Sequence, residues 1–209
     1  LSHFDQSCER CRTGALGDDA LDEAQPDLAI DILSAARAAN DQAVLVRLML
    51  AEVFVGLGRF DEAVNVAEEA ARMDSQDPRP LLTLSRAHLA RPDRARALSA
   101  YGEVTRRFPS NVDGLFELGT LELKLRRSRA ARDRFEAVLD IDSTHAGARV
   151  SMGLVAMVDG ELERGLTIAE RVIEDEPDLA GAYGLRGDIL LRMERPDDAL
   201  GSYSKAMEL

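Results

Sequence analysis

From Val44 to Leu57 the apolar residues fall three and four apart, the spacing that lines one face of an α-helix. Gly58-Arg59 interrupts the run, and Asp61-Glu62 opens a second amphipathic stretch that continues to about Met73. Acidic residues in a first turn suit the positive end of the helix dipole. Asp74-Ser75-Gln76-Asp77-Pro78 then reads as a loop of turn formers. This unit, 44–77, is followed by the same layout at 78–111, 112–145, 146–179 and 180–209. Their second helices open at Pro92-Asp93, Ser128, Glu161 and Pro196-Asp197-Asp198. Residues 26–43 read as a partial repeat, a lone second helix with its following loop. Residues 1–25 read as an irregular or degenerate N-terminal segment.

The units keep a constant interval. Ala29, Ala63, Ala97, Ala131, Gly165 and Ala199 stand 34 residues apart, all with tiny side chains. Gly119, Gly153 and Gly187 form another column, with Ser85 and Ala51 at the equivalent places. Glycine inside a helix costs about 1 kcal/mol relative to alanine, so its recurrence calls for close approach of the paired helix. Leu84, Leu118 and Met152, with Tyr101, Phe135 and Tyr203, are expected to fill the space around that contact. A period of this length marks stacked repeats, which present extended binding surfaces and point away from catalysis.

Composition narrows the picture. The 209 residues contain no Trp, 3 Tyr and 6 Phe, a helix former's usage with little for sheets. No apolar run approaches the ~20 residues of a membrane span. No leader is evident, which favours the cytoplasm and leaves the periplasm open, although a chain beginning at Leu1 is expected to have been trimmed. The Ala-, Arg- and Asp-heavy usage suggests a bacterial source. The net charge of −12 argues against nucleic acid as the partner. That charge is uneven: −10 over residues 1–78, +7 over 79–134 and −9 over 135–209. The middle could attract an acidic partner or copies of the chain itself. Its arginines at 91, 94, 96, 106, 107, 126, 127, 129, 132 and 134 fall mostly on turns and second helices, so a solvated outer face is the plainer explanation.

The residues now carry a resemblance. Small side chains at the eighth and twentieth places of each unit, the aromatics Tyr101 and Phe135 near the twenty-fourth, and Pro109 and Pro177 near the thirty-second resemble the tetratricopeptide repeat. Gly58-Arg59-Phe60-Asp61-Glu62-Ala63 is similar to that family's inter-helix turn. Ser75 and Ser143 depart from the closing proline, and of the early aromatics only Tyr183 matches. The resemblance implies an all-α fold, a right-handed superhelical solenoid of antiparallel helix pairs. It also implies that first helices line a concave groove. On that geometry the partner-binding groove comprises Leu45, Leu48, Arg79, Leu82, Arg86, Leu89, Phe116, Leu123, Val150, Leu154, Met157 and Leu191. Chaperone-binding members clamp a terminal carboxylate with lysine and asparagine at the fifth and ninth places. Here those places hold Leu48/Glu52, Leu82/Arg86 and Phe116/Thr120, so no such clamp is expected.

The groove positions are unusually apolar for a surface facing water. Stacking or a neighbouring helix could cover them. Alternatively they form a greasy groove for an amphipathic helix or extended peptide. Leu82, Phe116 and Val150 would then anchor the partner, with Arg79 and Arg86 pairing with acids at its edge. The expected function is a non-enzymatic scaffold or adaptor whose partner is a protein. The alternatives are a recruiting or regulatory segment of a larger enzyme or secretion machine, and a self-assembly module that makes homo-oligomers. Leu209 falls at the thirtieth place of its unit with no capping helix, so the array is expected to continue or be covered beyond it.

No catalytic residues, cofactor or metal site are expected. Phosphate loops, metal-binding His-Glu pairs and nucleophile elbows do not occur. Cys8-Glu9-Arg10-Cys11 is a lone CxxC without the strand and βαβ setting of a redox motif. An incidental or structural pair, a disulfide, and half of a metal site all stay open for it. Zinc normally takes four ligands, and only His3 is near in sequence.

Overall fold

A computed structural model describes residues 26–40 and 42–209; the Cys8/Cys11 pair and the rest of the N-terminal segment lie outside them. The described residues form eleven α-helices: α1 (Pro26–Ala39), α2 (Val44–Gly56), α3 (Phe60–Met73), α4 (Pro78–Ala90), α5 (Arg94–Arg107), α6 (Val112–Lys124), α7 (Ser128–Ile141), α8 (Ala146–Val158), α9 (Leu162–Asp175), α10 (Ala180–Arg192) and α11 (Pro196–Glu208). First helices begin at residues 44, 78, 112, 146 and 180, and second helices at 60, 94, 128, 162 and 196. Every interval is 34, and α1, beginning at 26, belongs to the second series.

Four of the five first helices stop for the same local reason. The backbone enters the left-handed region at Gly58 (φ 71°), Arg126 (61°), Gly160 (81°) and Glu194 (59°), all in the same 34-residue phase. The next N–H then reaches back five residues: Arg59 donates to the Phe54 carbonyl (2.8 Å), Arg127 to Glu122 (2.9 Å), Glu161 to Ala156 (2.9 Å) and Arg195 to Leu190 (2.9 Å). This closure satisfies carbonyls that the helix end would otherwise leave orphaned. Glycine meets the left-handed requirement without a Cβ penalty, and it does so at two of these four turns.

The chain divides into two compact units, one ending at Pro109 and one spanning Ser110–Leu209. Within the first, α2 pairs with α3 and α4 with α5, α3 packs on α4, and α1 lies against α2. Within the second, α6 pairs with α7, α8 with α9 and α10 with α11, while α7 packs on α8 and α9 on α10. First helices also touch one another directly, α2 with α4 in one unit and α8 with both α6 and α10 in the other. Within each unit they therefore form a layer of their own beside the second helices.

The small columns are where paired helices meet. Ala63, Ala97 and Ala131 have no exposed surface, and Ala29 and Ala199 almost none. A Cβ on Gly153 would lie 2.5 Å from Leu185 Cδ2, and one on Gly187 2.6 Å from Tyr203 Cε1. Gly119 faces the Phe135 ring at 2.9 Å in the same way. At Gly119 and Gly187 the aromatic residue of the paired second helix thus occupies the space that glycine vacates on the first, whereas at Gly153 that space is taken by Leu185 of the next first helix, α10. At the matching place in α4, Ser85 is fully buried and its hydroxyl donates to the Leu81 carbonyl at 2.7 Å.

Candidate functional site

First helices begin with caps of varied chemistry. Asp77 accepts from the Arg79 backbone N–H, Asn111 from Gly114, and the His145 ring Nδ1 from Ala148. These caps fix the start of α4, α6 and α8 and so the rotation of the face each presents.

The twelve groove positions divide by burial. In the first unit Leu45, Arg79 and Arg86 are exposed, Leu89 is half-buried, and Leu48 and Leu82 are buried (6% and 4% exposed). In the second unit Leu191 is 54% exposed, and Phe116, Leu123, Val150 and Leu154 are half-buried. Met157 is buried among Ala169, Leu185 and Ile189, with Val150 and Leu154 packed against the same cluster. Leu48, Leu82 and Met157 therefore act as interior side chains, and Leu82 offers no open surface for anchoring a partner. Direct contact between first helices turns part of this face inward, a cost of stacking that the repeat spacing does not reveal.

Phe116 is held from several sides. Its ring stands 5.8 Å from Phe135 and 4.9 Å from His145. A Cβ on Gly147 would meet Phe116 Cζ at 2.9 Å, so the missing side chain there is what lets the ring lie down on α8. His145 was not a groove candidate from sequence. The signal available was its place just before Ala146, the N-cap position of α8. On α10, Gly181 and Gly184 have nothing within 4 Å of where a Cβ would stand, so this stretch of the first-helix face is bare backbone.

Most charges nearby are neutralised inside the chain. Arg79 pairs with Asp77 (Nε–Oδ2 2.7 Å), and this hydrogen bond is the main reason the Asp77 carboxyl is held below the ordinary aspartate range. Glu122 on α6 is buried, and burial pushes its carboxyl above the ordinary glutamate value although Arg134 and Arg127 pull it down. The Glu122–Arg134 pair, at 3.6 Å, is too long for a hydrogen bond and leaves Glu122 Oε2 and Arg134 Nε unpartnered. His88 on α4 is buried with an unpartnered Nδ1, and desolvation lowers its pKa. Among the described residues, no three His, Cys, Asp or Glu side chains are grouped to hold a metal, and no helix is long and apolar enough to cross a membrane.

Family models described as tetratricopeptide repeat match residues 20–81 with one model and 82–146 and 150–208 with another. The chain belongs to the tetratricopeptide-repeat family. That family is one of protein–protein interaction modules, typically non-catalytic. A solved tetratricopeptide-repeat protein from Parabacteroides merdae superposes with a TM-score of 0.80 at 19% identity, over 97% of this chain and 80% of that one. TTC0263, a thermophilic TPR protein of Thermus thermophilus, gives 0.67 at 25% identity over 79% and 91%. YrrB, described as a TPR protein with an unusual peptide-binding site, gives 0.61 at 19% over 84% and 91%. These likenesses establish the all-α repeat fold. A comparison with curated proteins found no match.

Proposed function

We propose that this tetratricopeptide-repeat chain is a scaffold or adaptor whose first-helix faces grip a peptide or amphipathic helix of a partner protein. The observation that carries the reading is the second unit's face: half-buried Phe116, Leu123, Val150 and Leu154, exposed Leu191, and open backbone at Gly181 and Gly184. A row of apolar side chains beside an unfilled strip suits an incoming apolar side chain, the helix-in-groove mode of recognition. In the first unit, exposed Leu45 and half-buried Leu89, flanked by Arg79 and Arg86, offer a smaller face of the same character. That the structurally similar YrrB is described as having a peptide-binding site adds support.

The test uses two leucines of opposite placement. Leu191 lies on first helix α10, and Leu200, 66% exposed, on second helix α11. Helical peptides selected for binding from a displayed library are expected to lose about tenfold or more in affinity to Leu191→Asp, the size of a buried anchor's loss, and little to Leu200→Asp. Both substitutions are at exposed sites, so helical circular dichroism should be unchanged. Equal losses at the two positions would defeat the proposal.

A further inference from the structure

The inter-helix turns of this chain carry charge, and most of that charge is spent internally. In the first unit, Arg59 bonds to Glu62 (Nε–Oε2 2.6 Å) and Arg91 pairs with Asp61 (3.0 Å). In the second unit, Asp159 and Glu161 are taken by Arg132 (2.7 and 3.5 Å), Glu161 also by Arg164 (2.7 Å), and Arg195 pairs with Asp198 (2.7 Å). The turn between α6 and α7 departs from this rule. Its Arg126, Arg127 and Arg129 are exposed, and none of their guanidinium groups has a hydrogen bond or ion pair among the described residues. The buried Glu122, which Arg127 influences, is paired with Arg134.

Two local features make the arrangement costly. The first turn of α7 contains no acid, and Arg129 there sets a cation against the positive end of the helix dipole. Arg126 holds the left-handed position that Gly58 and Gly160 fill elsewhere, a conformation a side chain disfavours. The three arginines, with Ser128, Ala130 and Asp133, border a shallow depression open to solvent. Exposed Lys124 lies just before them, and Asp133 is the single carboxylate at its border.

We infer that the Arg126-Arg127-Ser128-Arg129 turn is a docking site for an acidic stretch of a partner polypeptide, one that places about three carboxylates within a short span. Charge complementarity selects this occupant. Guanidinium groups without partners bind carboxylates in paired, charge-assisted hydrogen bonds, and an anion seated at α7 would relieve the repulsion against its dipole. The −9 carried by residues 135–209 of the same unit repels a long polyanion such as nucleic acid. A second copy, which itself carries −12, is disfavoured in the same way. The site uses no residue of the apolar first-helix face and stands or falls independently of it.

Binding of fluorescein-labelled decaglutamate to the intact chain, followed by anisotropy, tests the inference. Binding at low ionic strength should weaken several-fold at about 0.15 M salt. The triple variant Arg126→Ala/Arg127→Ala/Arg129→Ala should lose about tenfold or more, as expected for removing three charged contacts. Arg94→Ala/Arg171→Ala, which removes two other exposed arginines without partners, should stay close to the parent. Arg129→Glu should abolish binding while raising the melting temperature by about 1–3 °C, because an acid then faces the dipole. No binding by the parent, equal binding by the triple variant, or equal loss in the Arg94/Arg171 control would overturn the site. Tighter binding of a DNA duplex than of decaglutamate, or self-association that the triple variant abolishes, would overturn the acidic polypeptide as occupant.

Discussion

Gly153 and Gly184 lie inside first helices of the same unit, yet alanine should act on them in opposite directions. At Gly153 a methyl group would collide with Leu185 Cδ2 at 2.5 Å, in a buried contact between neighbouring repeats. Overpacking of this kind costs about 1–3 kcal/mol, more than the roughly 1 kcal/mol that alanine gains in helix propensity. Gly153→Ala is therefore expected to destabilise by about 1 kcal/mol, the balance of those two effects. Gly184 has open space around it, so Gly184→Ala should stabilise by about 0.5–1 kcal/mol. Urea unfolding of the two variants decides the matter; shifts of the same sign would contradict this account of the glycine column. The column itself was legible in the sequence because its spacing is constant. The aromatic fillers were legible too, since Phe135 and Tyr203 lie against Gly119 and Gly187 as their spacing implies, whereas Leu185, which meets Gly153 from the following repeat, was not.

At the scale of the helix, Asp77 sets the start of α4. Its carboxylate accepts from the Arg79 backbone N–H at 2.9 Å and also binds the Arg79 side chain. The depressed pKa of Asp77 fixes the sign of its pH dependence. Its stabilisation is fully present above the ordinary aspartate pKa and is lost as the pH falls through the lower folded-state value. Asp77→Ala should cost about 1 kcal/mol at neutral pH. Asp77→Asn keeps a capping oxygen, so it should retain most of the stability and lose only the share of the acid dependence that Asp77 contributes. Unfolding at neutral and acidic pH separates the two, and an asparagine variant as weak as the alanine one would rule out capping. Helix existence, type and phase were legible here because most helices carry the amphipathic spacing and most turns carry Gly, Pro or an acid; α2, apolar on nearly every side, and α10 segregate their residues little. The exposed part of the first-helix face was legible only in part. Leu48, Leu82 and Met157 occupy groove places in the repeat yet are buried, because a 34-residue phase shows which side of a helix a residue is on and not what packs against that side. The cationic turn at Arg126–Arg129 was visible as charge, but its lack of internal partners required coordinates.

At the scale of the molecule, the contacts of each unit run between adjacent repeats, so stability should be approximately a sum of local terms. A chain lacking residues 146–179 keeps the phase of every remaining helix. It should retain its helical signal per residue and melt at a lower temperature. Part of that loss has a specific source: Leu166 packs on the Leu185–Ile189 cluster, and the residue 34 places earlier is Arg132. Adding Arg132→Leu to the shortened chain should recover some of the melting temperature. Loss of helicity throughout the remaining repeats would show that the units fold all together instead.

The left-handed residue that closes most inter-helix turns bears on how such a chain can change over generations. A position that accepts Gly58, Arg126, Gly160 or Glu194 belongs to neither of the small columns. Around Gly160 nothing lies within 4 Å of a would-be Cβ, and around Gly58 only the tip of Phe60. A side chain other than glycine is strained by the positive φ there, as at Arg126 and Glu194, yet it can reset the charge a repeat displays without touching the contact between paired helices. A lineage thereby gains one adjustable site per such repeat, so new partners can be sampled by small steps without the fold having to be invented again.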